Sequence, residues 1–456
     1  MDRTFRFGSI HIIPLSFLAV ILLGSLLLML PSASAAGERT GYLTALFTAT
    51  TSVCVTGLVV TDTFSHWSTF GHVVILLLIQ AGGLGIITTV SMMMVVMRQK
   101  FSLGDRVLLQ DALNLSSREG ILSFLKKVVL GTLLVEGLGA FFYSFSFVPR
   151  YGLSRGIWFS VFHAVSAFCN AGLDIIGSSS LAGYSSDPFV LTVTMILIVM
   201  GGLGYVVWFD ILTGAREKKR RGYTFRQAFA RLSEHTRLVL VLTAFLIISG
   251  ALFFLAAEWH NPQTMGSMSV PGKVLNSLFE SVTLRTAGFS AFPQEGMREV
   301  SSLAAYAFMF IGGSPVGTAG GVKTVTVFLV LKGTLSYIRG SRDNTVFKRS
   351  VTLELMRKAT AVVTVSFIAV CFFTVMLLAV QSSISMEDGL FEVVSALATV
   401  GLSRGLTASL NTAAKIIIII CMYLGRIGPI SMAIFFTGQK YSGRGIRYAD
   451  GNFFVG

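Results

Sequence analysis

Apolar residues run along this chain in long blocks, at about 10–30, 71–97, 121–147, 188–213, 238–257, 303–336, 359–380 and 413–437. Each is long enough to cross a bilayer as a helix, for which roughly 20 residues suffice. Within each successive pair of blocks lies a shorter amphipathic segment, predicted as a helix over 43–54, 158–169, 274–284 and 389–398. These are too short to span. Each runs into a glycine-centred tetrapeptide: Val55-Thr56-Gly57-Leu58, Asn170-Ala171-Gly172-Leu173, Thr286-Ala287-Gly288-Phe289 and Thr399-Val400-Gly401-Leu402. The pattern predicts an all-α polytopic membrane protein of four units, 1–103, 104–222, 223–344 and 345–456. Each unit would hold an outer helix, a pore helix, a glycine segment and an inner helix. Non-helical backbone at membrane depth must line a cavity or be covered by protein. The four glycine segments are therefore expected around one pseudo-fourfold pore.

Composition agrees. Of 456 residues, 53% are hydrophobic and 13% charged, about half the charged share of a soluble domain. The net charge of +14 raises the question of a nucleic-acid partner, and its placement answers no. Basic residues collect at Arg3 and Arg6, in 98–127, 216–237 and 332–358, and at Lys440, Arg444 and Arg447. With alternating spans these all fall on one side, opposite the glycine segments. The positive-inside rule makes that side cytoplasmic, with both termini inside a plasma membrane. The first block reads as a retained span rather than a cleaved signal. Cys54, Cys169, Cys371 and Cys421 read as small buried hydrophobes, not as a disulfide framework.

The glycine segments carry the chemistry. Glycine reaches backbone conformations closed to other residues, so successive carbonyls can face one axis and replace an ion's hydration shell. Each pore helix would point its partially negative C-terminus at the membrane centre, which favours a cation. None of the tetrapeptides contains a carboxylate. Calcium or magnesium would ask for acidic ligands, so the pattern points to a monovalent ion, potassium ahead of sodium. One such segment alone would read as a helix cap; four in the same order do not.

The inner blocks repeat as well. They carry Gly82-Gly83-Leu84-Gly85, Gly201-Gly202-Leu203-Gly204 and Gly425-Arg426-Ile427-Gly428-Pro429, suited to close helix packing. The third is interrupted by Gly312-Gly313-Ser314-Pro315-Val316-Gly317-Thr318-Ala319-Gly320-Gly321, which cannot stay helical. Arg426 in an apolar helix is costly and marks either a functional cation or a pair with a carboxylate, Glu392 being one candidate. Lys323 poses the same choice, or snorkels to the membrane surface. Glu280 and Glu392 are expected to support the filter strands or to pair with Arg285. Asp62, Asp174 and Arg404 follow their filters toward the outside. His163 reads as a packed, hydrogen-bonded histidine, and Glu136 as a pairing or orienting group, with proton carriage the weaker alternative.

Together these features resemble the Trk/Ktr/HKT superfamily of potassium transporters, most closely the KtrB-type membrane subunits of bacterial Ktr systems. The resemblance covers nearly the whole chain. Its specific parts are the four glycine segments in order, Arg285, the glycine-rich break with Lys323, and the run from Gly425 to Pro429. It implies filter glycines at Gly57, Gly172, Gly288 and Gly401. Val55, Thr56, Asn170, Ala171, Thr286, Ala287, Thr399 and Val400 would supply the neighbouring oxygens. It implies that Gly312, Gly313, Ser314, Gly317, Thr318, Gly320 and Gly321 belong to a loop that blocks the pore until it moves, with Lys323 and Arg426 beside it. It further implies potassium as the transported ion, sodium as an open second ion, and no cofactor bound by the chain itself. A homodimer is implied, with the tail 440–456 resembling one that reaches the neighbouring subunit, and a KtrA-like cytosolic ring of nucleotide-binding subunits docked on the basic loops. Two positions depart from the pattern: Cys169 stands where many relatives have asparagine, and Leu173 replaces a phenylalanine. Gly57, rather than the serine of sodium-preferring plant relatives, supports potassium.

Three other readings are weaker. One is the potassium-translocating subunit of an ATP-driven pump, a more distant relative. A membrane-embedded enzyme would need clustered catalytic groups on facing helices, and the six histidines are scattered. A phosphate loop over 317–324 fails because Val322 occupies the second glycine position.

Overall fold

A computed structural model of the protein describes residues 9–85, 88–89, 91, 121–341 and 344–428. Arg3, Arg6, Arg98, Lys100, Arg106, Arg118, Arg342, Pro429 and the tail 440–456 lie outside the described residues.

Helices dominate, in the same order four times. The first unit has α1 (Ser9–Leu28), α2 (Tyr42–Cys54) and α3 (Thr69–Leu84). The second has α4 (Ile121–Tyr151), α5 (Leu153–Cys169), α6 (Pro188–Leu203) and α7 (Tyr205–Arg221). The third has α8 (Glu234–Glu258), α9 (Val270–Thr283), α10 (Glu299–Phe310) and α11 (Thr324–Ile338). The fourth has α12 (Leu353–Val380), α13 (Met386–Leu397) and α14 (Thr412–Ile427). The pore helices are α2, α5, α9 and α13.

Local chemistry sets where the pore helices start. Ser269 caps α9 by accepting from the Gly272 amide, and Pro271 sits in its first turn. Both are helix-start signals, and they place the helix start four residues before the expected 274. Ser385 caps α13 in the same way. Gly152, at φ 81°, is the single residue between α4 and α5, so outer and pore helix of the second unit meet at a corner.

The inner spans depart from expectation. Continuous helices were expected over 71–97, 188–213 and 413–437. Instead α3, α6 and α14 end at Gly85, Gly204 and Gly428, with φ of 85°, 89° and 96°. A left-handed glycine ends a helix cheaply. After Gly204 the chain turns by 98° into α7. The third inner span is interrupted by a non-helical loop between α10 and α11, as the sequence predicts. Among the described residues three helices are long and apolar enough to span a membrane, and a fourth if the bent pair counts as one.

Burial is arranged for a bilayer. Phe47, Phe162, Phe168, Phe279, Phe289 and Phe391 are fully buried around the pore helices, while Leu130, Phe245, Phe367 and Val375 are exposed on outer helices. Apolar side chains facing outward suit lipid. On one face a short hairpin (Thr345–Val346 with Arg349–Ser350) meets the start of α8, where Arg349 reaches Glu234 at 3.6 Å and Arg237 lies over the Phe347 ring. This is the basic face; the pore helices begin near the opposite one.

Candidate ion pathway

The four glycine segments share one backbone shape. Their first and third residues have positive φ: Val55 and Gly57 at 56° and 101°, Asn170 and Gly172 at 58° and 63°, Thr286 and Gly288 at 64° and 79°, Thr399 and Gly401 at 52° and 97°. The middle residues Thr56, Ala171, Ala287 and Val400 do not. Alternating handedness turns successive carbonyls toward the same side of the strand. The left-handed region costs an ordinary residue roughly 1–2 kcal/mol, and β-branched Val55, Thr286 and Thr399 occupy it. Such strain concentrates at functional sites.

The glycines also define a ring. A side chain on Gly57 would stand 2.7 Å from the Ala171 carbonyl oxygen, and one on Gly172 would stand 2.7 Å from that of Ala287. A side chain on Gly288 would strike the Val400 oxygen, and one on Gly401 the Thr56 oxygen. Each glycine thus faces the carbonyl just before the next unit's glycine, and the series closes from the fourth unit back to the first. Nothing larger than hydrogen fits at any of the four.

Hydroxyl groups in the pore helices hold these strands in place. The Gly57 amide donates to Thr51 Oγ1 at 2.9 Å and the Gly401 amide to Ser395 Oγ at 3.0 Å. In the other two units the direction reverses: Ser166 Oγ donates to the Leu173 carbonyl at 2.5 Å and Thr283 Oγ1 to the Phe289 carbonyl at 2.6 Å. Sequence reasoning missed these four. The signal was present as a hydroxyl residue six positions before the glycine (51 to 57, 166 to 172, 395 to 401) or five (283 to 288).

The inner-helix glycines have a matching role. A side chain on Gly82, Gly201 or Gly425 would collide with the carbonyl oxygen of Val53, Phe168 or Leu397. Those oxygens belong to the last turn of a pore helix, four residues before the ring glycine in each case. Close backbone approach is what the glycine allows.

Above the ring opens a vestibule of about 430 Å³ lined by all four ring glycines. Asp62, Asp174 and Glu295 line it, and no basic residue among the described ones does. Arg404 is held away from it, bonded to Asp388 at 2.8 Å, Glu387 at 3.2 Å and Ser302 at 2.8 Å. Glu295 is a further residue that sequence reasoning missed.

Below the ring, the 312–321 loop is tied to neighbours on two sides. Its Ser314 and Thr318 amides donate to the Gly202 and Gly201 carbonyls at 3.0 and 3.1 Å, and Thr318 Oγ1 donates to the Phe168 carbonyl at 3.0 Å. At its other end, a side chain on Gly320 would meet Thr399 Oγ1 and lie 3.0 Å from the Ala398 oxygen. The loop thus reaches from the second unit's pore lining to the fourth unit's. Arg426 fastens it: Nη1 donates to the Thr318 carbonyl at 2.6 Å, and Nη2 to the carbonyls of Gly82 and of Gly83, the latter at 3.4 Å. Of the two alternatives for Arg426, the pair with a carboxylate is not what the structure has among the described residues. Glu392 instead accepts from Ser403 at 2.9 Å and from Thr407. The Lys323 ammonium turns back to the Ala319 carbonyl of the loop at 2.6 Å rather than to the membrane surface.

Other expectations divide. Glu136 is an orienting group, accepting from Gln80 at 3.2 Å and from the Cys169 thiol at 3.7 Å. Glu280 accepts from Gln294 at 3.2 Å, and Arg285, though buried, has no ion pair among the described residues. His163 is packed among Tyr143, Phe147 and Phe289, but neither ring nitrogen has a hydrogen-bond partner. The hydrogen bond expected for it is absent because its surroundings are aromatic.

Comparison with known proteins agrees with this architecture. The chain matches the family TrkH, described as cation transport protein, over residues 8–444. It is 36% identical over 451 residues to the Ktr system potassium uptake protein B of Bacillus subtilis (strain 168), covering 99% of this chain and 97% of that one. It is 36% identical over 431 residues to the potassium/sodium uptake protein NtpJ of Enterococcus hirae, covering 94% and 92%. In structure it is similar to the crystallised potassium transporter TrkH from Vibrio parahaemolyticus, with a TM-score of 0.73, 16% sequence identity, and 96% and 87% of the two chains covered. The ring of carbonyls, the loop beneath it and the length of these matches lead to one conclusion: the chain belongs to the TrkH family of membrane-embedded cation transport proteins.

Proposed function

We propose that this protein takes up potassium across the cell membrane, with its basic face cytoplasmic, and that the four glycine segments are its selectivity filter. The closed ring of Gly57, Gly172, Gly288 and Gly401 against the carbonyls of Ala171, Ala287, Val400 and Thr56 carries this reading. Potassium is supported by a ring of neutral oxygens without carboxylates and by the names of the relatives at 36% identity. One of those names includes sodium, which keeps sodium as a second or coupled ion.

In this reading the 312–321 loop is the gate, and Arg426 is the clamp that holds it closed through the Thr318 carbonyl. A guanidinium close below the filter also raises the barrier to a cation. The exposed basic residues Lys219, Arg220, Arg221 and Arg349 offer a docking face for a cytosolic ring of nucleotide-binding subunits. The homodimer rests on the family resemblance and on the tail beyond the described residues.

The test is potassium uptake in a transport-deficient bacterium. Gly57→Ser and Gly288→Ser abolish uptake or shift it toward sodium. Arg426→Ala, or deletion of 312–321, speeds the flux. Unchanged uptake in every variant, with protein present in the membrane, would return the glycines to a packing role.

A further inference from the structure

Beside the loop lies a second cavity of about 250 Å³ between α11, α12, α13 and α14. One wall is a single stripe on α12: Lys358, Val362, Ser366 and Val370. Their spacing of four puts them on one helix face. At 1.5 Å per residue the stripe climbs ~18 Å, close to the depth of one leaflet of a hydrocarbon core ~30 Å thick. Its lower end, at Lys358, is five residues from the start of α12 on the basic face. Its upper end, at Val370, shares the cavity with Leu397 of the fourth pore helix and Val322 at the foot of the loop.

The lining is amphipathic in one direction. An exposed ammonium stands at the membrane-surface end, and above it the walls are mostly apolar, with Phe310, Val394 and Leu397 joining the stripe and only the Ser366 and Thr326 hydroxyls and Lys323 interrupting them. Lys323, at the deep end, already donates to the loop's own Ala319 carbonyl. A small polar solute would gain little from such walls, whereas an apolar chain is stabilised by every carbon it removes from water or loose lipid contact. A phosphate at the surface end would complement the Lys358 charge.

We infer that the cavity binds one acyl chain of an anionic phospholipid from the basic-face leaflet, with its headgroup at Lys358 and its tail against Val322. The bound chain acts on the loop from the side and so couples membrane composition to the gate. The binding half stands on the cavity alone; the coupling half rests on the gate reading proposed above.

The test uses the full chain purified in mild detergent, incubated with phosphatidylglycerol or phosphatidylcholine, and weighed by native mass spectrometry. The wild type retains phosphatidylglycerol in preference. Lys358→Gln, which removes the positive charge opposite the headgroup, and Ser366→Trp, which fills the cavity, each lose one retained lipid. Arg357→Gln, next to Lys358 but outside the lining, keeps it. Equal retention in all four proteins, or no preference in the wild type, overturns the site and leaves the cavity to protein or to unselective lipid. Reconstituted into phosphatidylcholine vesicles with and without phosphatidylglycerol, the wild type changes its potassium flux several-fold and the two binding variants do not. A binding difference without a flux difference overturns the coupling. A wild type that binds lipid but conducts no potassium in either vesicle overturns the transport reading instead.

Discussion

At the scale of single residues, the ring depends on two kinds of side chain that the sequence displays unequally. The glycines announce themselves by recurrence; the hydroxyls that hold them do not, because serine and threonine are ordinary in an amphipathic pore helix. Thr51 shows what is at stake. Its Oγ1 accepts from the buried Gly57 amide, and an unsatisfied buried donor costs ~1–3 kcal/mol. Thr51→Val keeps the shape and removes the acceptor. Competition uptake with potassium and sodium should therefore show reduced discrimination in Thr51→Val and near-normal discrimination in Thr51→Ser. Ser166→Ala should act more mildly, since it deprives only the Leu173 carbonyl of one donor. Equal selectivity in all three would mean that the strands hold their shape without these bonds. Arg426 was legible as an anomaly, yet its partners were not. Carbonyls offered where α3 ends at a glycine leave no trace in composition, so the sequence could offer only a carboxylate pair as the alternative to a cation facing the pore.

Whole elements were legible wherever hydropathy changes sign. The outer helices, the short pore helices and the broken third inner span all follow from the pattern. The stops at Gly85, Gly204 and Gly428 did not, because apolar residues continue past Gly85 and Gly204 and nothing in hydropathy marks a turn of 98°. The signal was conformational: a glycine three residues after another that must itself pack on a carbonyl. That packing gives a stability prediction. In Gly82→Ala and Gly201→Ala the new methyl meets the Val53 or Phe168 carbonyl oxygen, and overpacking of this kind typically costs ~1–3 kcal/mol. Both variants should unfold at lower temperature in detergent than the wild type. Gly183→Ala, with no atom within 4 Å of the added carbon, should not. A wild-type melting curve for Gly201→Ala would show that α6 can retreat from α5 without cost.

Across the whole molecule, charge is sorted against the net balance. The chain carries +14, yet the vestibule over the ring is lined by Asp62, Asp174 and Glu295, with Arg404 tied off by Asp388 and Glu387. A concave surface of one sign raises the local concentration of the opposite ion and its rate of arrival. The acids stand outside the ring, so they should govern capture rather than selection. Asp62→Asn is a mild probe, because asparagine removes the charge but keeps one acceptor oxygen, enough to cap one of the Phe64 and Ser65 amides that Asp62 now holds. Combined with Glu295→Gln, it should slow initial uptake several-fold at low external potassium and leave the saturated rate and the potassium-to-sodium ratio unchanged. The deficit should shrink as choline chloride is added, because the Debye length falls from ~30 Å at 0.01 M salt to ~8 Å at 0.15 M. If the double variant and the wild type respond identically to ionic strength, the vestibule acids do not steer the ion, and the rate of entry is set at the carbonyl ring itself.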